Sequence, residues 1–180
     1  MSPAPRGPVL ERVPEGDDRQ RLTCGDCGFV HYVNPRIVVG VVPHWRDHIL
    51  LARRAIDPCK GQWTIPAGYL EVGETLQAGA VRETWEEARA RVTLEGLIGV
   101  YNIPRIGQVY MVFRGHMLSA DHGPGPESLE SALFAWDEIP WDDLAFPTVR
   151  WALTHDRARG ADLGLAPHFE PPAMHWDRGV

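Results

Sequence analysis

Three carboxylates within five residues are the first groups in this chain whose types and spacing suggest chemistry. They lie in the stretch Gly68 to Ala90, GYLEVGETLQAGAVRETWEEARA. An α-helix advances about 100° per residue, so Glu83, Glu86 and Glu87 share a wedge of roughly 100° on one helical face. Acidic groups packed this closely repel one another. The helix itself offers only Arg82 and Glu86 as an opposite-charge pair at the i, i+4 spacing. A hard divalent cation such as Mg²⁺ takes oxygen ligands, keeps several waters and is held by a few carboxylates together with substrate phosphates. The cluster therefore points to metal-assisted chemistry on phosphate, against the simpler reading of a solvated acidic helix face.

The element that must carry the cluster is legible. Thr75 to Ala88 is rich in helix formers and free of proline, and Gly68 and Gly73 mark the turn before it. The full spacing is a glycine, five residues, a glutamate, seven residues, Arg-Glu, two residues and Glu-Glu. With six identities fixed at about 6 to 7% each, a chance match in this chain is on the order of 10⁻⁵. The stretch resembles the signature box of the Nudix hydrolases, with Gly68, Glu74, Arg82, Glu83, Glu86 and Glu87 in the places that pattern asks for. Two features depart from it: Arg89 stands where the box usually has glycine, and Thr84 and Ala90 are only weakly apolar. Neither removes an acidic residue.

The resemblance implies a site. Mg²⁺ or Mn²⁺ would be held by Glu83 and Glu87 directly, by Glu86 directly or through water, and by the backbone carbonyl of Ala67. Arg82 would orient a box carboxylate, and Glu74 would fasten the loop to the helix. A general base would come either from a box glutamate or from a carboxylate on a later loop, for which Glu127 and Glu130 are the candidates. The reaction implied is hydrolysis of the diphosphate linkage of a nucleoside diphosphate derivative. The NPRIVVG start and the PGPESLE loop resemble members that cleave ADP-ribose or FAD. Cleavage of nucleoside triphosphates, or sensing of ADP-ribose-like ligands without turnover, are the alternatives. Arg53, Arg54 and Tyr101 are candidates for substrate contact; Trp45, Trp63 and Tyr69 are further aromatic side chains expected near the site, each as readily read as core.

With 180 residues, one main domain is expected, burying roughly 70% of the surface its unfolded chain exposes. The three cysteines, Cys24, Cys27 and Cys59, cannot all pair, and nothing near Met1 resembles a charged start followed by an apolar run. A cytoplasmic protein without a membrane span is expected. The formal charge of −6, with no basic run, gives no long-range attraction for nucleic acid, so a small nucleotide is the expected partner. A homodimer is expected from the resemblance alone.

Taken in order, residues 1–34 read as an extended or mobile arm ending in a knuckle, LTCGDCGFVHY. Cys24 and Cys27 have the spacing of half a zinc site, and His31 and Cys59 are the remaining candidate ligands. The stretch is similar to the second half of the zinc ribbon that precedes the Nudix domain in one subgroup. This chain lacks the other cysteine pair, so a turn that packs without zinc is expected. Residues 35–160 hold the rest. IVVGVVP reads as a buried strand, turning at Asp47 and His48 into ILLARRA. Beyond the helix, Arg91 to Ile103 and Gln108 to Leu118 read as strands around an IPRIG turn. SADHGPGPESLES reads as a long irregular loop carrying Glu127 and Glu130, and ALFAW as a last strand. Thr148 to Arg159 reads as a helix with Val149, Ala152 and Leu153 inward. Strands on either side of a central helix, with a second helix at the end, predict an α/β fold with a mixed sheet covered on both faces. The resemblance implies the same α/β/α sandwich. Residues 161–180 read as an irregular tail. Phosphate-loop, dinucleotide-fingerprint and serine-elbow motifs do not occur.

Overall fold

The computed structural model describes residues 7–160, so the tail expected over 161–180 lies outside the described residues. The chain divides into two compact units between Pro35 and Arg36. The first is a three-stranded antiparallel sheet of β1 (Pro8–Arg12), β2 (Arg21–Cys24) and β3 (Val30–His31), in that order. The arm is therefore not irregular throughout: its PVLER segment pairs with RLTC. The turn after β2 closes with Gly28 N–H donating to the Cys24 carbonyl at 3.0 Å and Cys24 N–H to the Phe29 carbonyl at 2.8 Å. Cys24 is buried, Cys27 is exposed, and both thiols are free. Backbone N–H groups of Cys27 and Asp26 stabilise the Cys24 thiolate and pull its pKa down, as a knuckle does for a metal-binding sulfur.

The second unit is built on strands β4 (Arg36–Trp45), β5 (His48–Arg54), β6 (Trp63–Thr64) and β7 (Ala67–Tyr69), helix α1 (Leu76–Ala88), strands β8 (Val92–Ile103), β9 (Gln108–Met117) and β10 (Ser128–Ala135), and helix α2 (Pro147–Arg159). Its sheet runs β10-β5-β4-β9-β8, with β6 added on β5 and β7 on β4. The central pair, β4 and β9, is parallel from Arg36↔Gln108 to His44↔His116; the other pairings are antiparallel. A parallel pair needs cover on both faces, which is why IVVGVV is apolar without alternation. Side chains nevertheless sort by the two-residue period. Val39, Val41, Leu50 and Phe113 pack on the α1 side with Ala80 and Ala88, while Val42, Ile49, Leu51 and Val112 pack with Val149, Ala152 and Leu153 of α2. The layering is the expected α/β/α sandwich around a mixed sheet. Among the described residues no helix is long and apolar enough to cross a membrane.

Three expectations need correction. The β4–β5 hairpin pairs only at its tip, His44↔Ile49 and Trp45↔His48, beside a turn in which Arg46 takes φ 53°. Beyond the tip the strands part: β6 pairs with β5 and β7 with β4, so WTIPAGY fills the opening. Second, the loop before the last strand is shorter than expected. β10 starts at Ser128, and Glu130 stands opposite Arg53 in the sheet. Third, Tyr101 is a core residue. It is 1% exposed, and its hydroxyl pairs with His155 Nδ1 at 2.9 Å.

Candidate active site

Helix α1 is capped by Thr75, the first residue of the stretch read as helical: its Oγ1 accepts from Ala78 N–H at 3.1 Å. Its inward face is mostly small, with Ala80, Thr84 and Ala88 fully buried, and this lets the helix lie close to the sheet. Closeness carries Glu83 and Glu87, on the same side of the helix, under the backbone of β7. Both are nine-tenths buried, whereas Glu86 stays exposed.

Arg82 ties the cluster together through its rigid fork of N–H donors. Nε and Nη2 grip Glu74 bidentately at 3.0 and 2.6 Å. Nη1 donates to Glu83 at 2.7 Å and Glu86 at 3.0 Å, and Nη2 also reaches the Tyr69 carbonyl at 3.1 Å. Glu74 accepts a further bond from Glu71 N–H at 2.8 Å. The Arg82 guanidinium and that N–H together hold its carboxyl down at about 2. Loop and helix are thus fastened by one buried-edge ion pair.

Gly68 permits the next contact. A Cβ there would stand 2.3 Å from the Glu83 carboxyl carbon, so only glycine lets the β7 backbone pass over that carboxylate. One residue earlier, Ala67 N–H donates to Glu87 Oε2 at 3.0 Å. On the far side, the PGP loop docks on the end of α1. Gly123 N–H bonds the Ala88 carbonyl at 2.9 Å and Gly125 N–H the Glu87 carbonyl at 3.0 Å. Ala55 N–H, bonded to the Glu127 carbonyl at 2.8 Å, fixes Glu127 beside them.

Burial is the main force on the carboxylates. It pushes Glu87 up to about 7, with the charges of Glu83 and Glu127 adding to it and the Ala67 N–H and Arg54 opposing. Burial also raises Glu83, against the pull of Arg82. Among the described residues Glu87 makes no ion pair, and the donor set is all hard oxygen, which suits a divalent cation such as Mg²⁺ or Mn²⁺. Among the described residues no three His, Cys, Asp or Glu side chains converge into a ready-made cage. Mg²⁺ does not require one, since it is commonly bound through one or two carboxylates plus waters and phosphate. Nor, among the described residues, does any such group form around Cys24 and Cys27, and Cys59 donates its S–H to the Ala145 carbonyl.

The carboxylates form one wall of a cavity of about 870 Å³. Of the residues named from sequence, Arg54, Ala67, Arg82, Glu83, Glu86, Glu87 and Glu127 all line it. Glu130 does not: it pairs with Arg53 at 3.0 Å, and Arg53 also donates Nε to the Gly61 carbonyl at 2.5 Å. Tyr101, Trp45 and Trp63 lie elsewhere, Trp63 edge-on against Phe134. Tyr69 does line the cavity. Among the lining residues that the sequence did not single out are Phe146 and Arg105. Phe146 lies under the Arg54 guanidinium at 5.1 Å, and Arg105 comes from the IPRIG turn, a turn visible in the sequence without any sign of what it faces. Among the described residues neither Arg54 nor Arg105 makes an ion pair.

Comparison with known proteins follows the same lines. A family model described as NUDIX domain matches residues 34–155, and one described as Nudix N-terminal matches 6–33. A crystal structure of a NUDIX hydrolase from Nitrosomonas europaea superposes with a TM-score of 0.83 at 46% identity, covering 91% of this chain and 94% of that one. An ADP-ribose pyrophosphatase from Methanocaldococcus jannaschii is 30% identical over 64% of this chain and 69% of its own length. An NAD-capped RNA hydrolase NudC from Vibrio vulnificus is 40% identical over 66% of this chain and 46% of its own. The chain thus spans between about a third and two thirds of the length of curated relatives it matches.

Proposed function

The chain belongs to the NUDIX domain family, and on that premise we propose that it hydrolyses the diphosphate linkage of nucleoside diphosphate derivatives, ADP-ribose and FAD before others, with Mg²⁺ or Mn²⁺. The observation that carries this reading is the opposition within one cavity of a partly buried carboxylate wall and arginines without acid partners. Glu83 and Glu87 would hold the cation, with Glu86 and the Ala67 carbonyl beside them. The bound ion supplies charge neutralisation for the phosphoryl oxygens and a more acidic water. Arg54 and Arg105 are the cavity's own cations for the diphosphate, and Phe146 and Tyr69 offer flat faces for a base. Arg82 is occupied by four side-chain or backbone acceptors and acts by positioning. Glu127, on the cavity rim, is the loop carboxylate suited to take a proton from water; Glu130, neutralised by Arg53, is not.

The test is a panel of ADP-ribose, FAD, NADH, a dinucleoside polyphosphate and a nucleoside triphosphate, incubated with Mg²⁺ or Mn²⁺ and separated by chromatography. Cleavage of ADP-ribose or FAD to mononucleotide products, abolished in Glu87→Gln, is the expected result. Preferential cleavage of the triphosphate would replace this reading by nucleotide clearance. Tight calorimetric binding with no product would make the chain a sensor. NADH belongs in the panel because several relatives bear the name NAD-capped RNA hydrolase.

A further inference from the structure

Helix α1 leaves its last carbonyls for other parts of the chain to satisfy. The C=O groups of Trp85, Glu86, Glu87 and Ala88 have no partner among the helical N–H groups, and the last turn carries no basic residue. Trp85 is served by the N–H of the cap residue Arg89 at 3.0 Å. Glu87 and Ala88 are served by the distant PGP loop, through Gly125 and Gly123. The loop therefore acts as the second half of the helix cap.

Only glycine fits at the centre of this contact. A Cβ on Gly125 would overlap the Glu86 carbonyl oxygen and stand 2.7 Å from the carbonyl carbon and 3.1 Å from Glu87 Cα. All three atoms are helix backbone, which cannot swing aside as a side chain can. Any larger residue at 125 must lift the loop off α1.

Glu127 stands two residues further on, and its own backbone is pinned from the other side. Ala55 N–H donates to its carbonyl at 2.8 Å, Ser128 lies opposite Arg54 in the sheet, and Ser128 N–H closes back on the Gly125 carbonyl at 3.1 Å. Two residues of chain span at most about 7 Å, so the seat of Gly125 on α1 limits where Glu127 can stand. The same helix carries Glu83 and Glu87. Glu127 lines the cavity with them, and its charge acts on both.

We propose that Gly125 is a positioning residue: its missing side chain lets the loop cap α1, and that cap holds the Glu127 carboxylate at a fixed offset from Glu83 and Glu87. The inference rests on the hydrolase reading of this cavity, with Glu127 taking the proton from water. The competing account is that the loop only caps the helix, which predicts lower stability and no dependence on Glu127.

A double-mutant cycle on the panel substrate that is cleaved fastest, in Mg²⁺, separates the two. Gly125→Ala is expected to lower kcat about a hundredfold, with KM within about threefold of wild type. In the Glu127→Gln background the same change is expected to cost less than about threefold. Gly123→Ala is the control, because it keeps its N–H and its Cβ meets nothing within 4 Å. Ala55→Pro removes the other tether of Glu127 without touching α1, and carries the same cycle should Gly125→Ala not fold. Mn²⁺ affinity, read by calorimetry, needs no turnover. Moving a negative charge away from Glu83 and Glu87 should weaken it about threefold in Gly125→Ala, and the change should add nothing once Glu127 is Gln. A kcat for Gly125→Ala within about threefold of wild type, or a further hundredfold loss in the Glu127→Gln background, overturns the proposal. Should no panel substrate be cleaved, the hydrolase reading falls and the Mn²⁺ cycle decides: the expected pattern upholds the positioning of Glu127, and unchanged affinity in Gly125→Ala overturns it.

Discussion

Replacing Gly68 by alanine adds one methyl group where the β7 backbone crosses the Glu83 carboxylate. The new Cβ would stand 2.3 Å from the carboxyl carbon and one oxygen and 2.4 Å from the other, whereas ordinary contact begins at 3.4 Å. Something must therefore retreat by about 1 Å. Glu83 has little room to do so: it is buried, and Arg82 holds it at 2.7 Å while also gripping Glu74 and Glu86. Overpacking of this kind costs about 1–3 kcal/mol, which for a domain of this size lowers the melting temperature by roughly 2–4 °C per kcal/mol. Misplacing a catalytic group by about 1 Å costs on the order of 10²-fold in rate. Gly68→Ala is thus expected to lower kcat/KM for ADP-ribose in Mg²⁺ about a hundredfold while the protein stays folded at 25 °C. Gly123→Ala is the control, because a Cβ there meets nothing within 4 Å. Activity of Gly68→Ala within about threefold of wild type would refute the reasoning, as would an equal loss in the control.

Two further outcomes follow from the same carboxylates. Burial raises Glu87 to about 7, so the folded protein holds that proton more tightly than the unfolded chain does, and the stability this contributes is complete below about pH 4.5 and lost as pH rises through 7. The displacement corresponds to roughly 3 kcal/mol, and Glu83 is shifted in the same direction. Urea titrations in EDTA should show stability falling from pH 5 to pH 8 in wild type and much less in Glu87→Gln; a flat wild-type profile would contradict the burial argument. The last concerns the two later glutamates. Glu127→Gln should lower kcat by about 10²-fold or more, whereas Glu130→Gln, which breaks an exposed pair with Arg53, should leave kcat near wild type and cost at most about 1 kcal/mol. Equal effects of the two would remove Glu127 from its role.

Much of the molecule is legible from local pattern. The helix bearing Glu83, Glu86 and Glu87, the unbroken apolar β4 and the inward face of α2 all follow from period and composition, because each depends on residues a few positions apart. The errors share a cause. Tyr101, Glu130 and Arg53 have the right chemistry for a site, yet register sends Tyr101 into the α2 face and pairs the other two across β5 and β10.

The sequence alone determined that three acids must share a helical face and that a counter-charge must be sought for them. Helical geometry allows nothing else. Only the tertiary structure decided which distant residues share a cavity with them: the parting of β4 and β5 admits β7 over Glu83 and Glu87, the PGP loop docks on the end of α1 and brings Glu127, and Arg54 and Arg105 line the same cavity from other elements. Those choices rest on long-range pairing and close packing, which no local pattern of residues encodes.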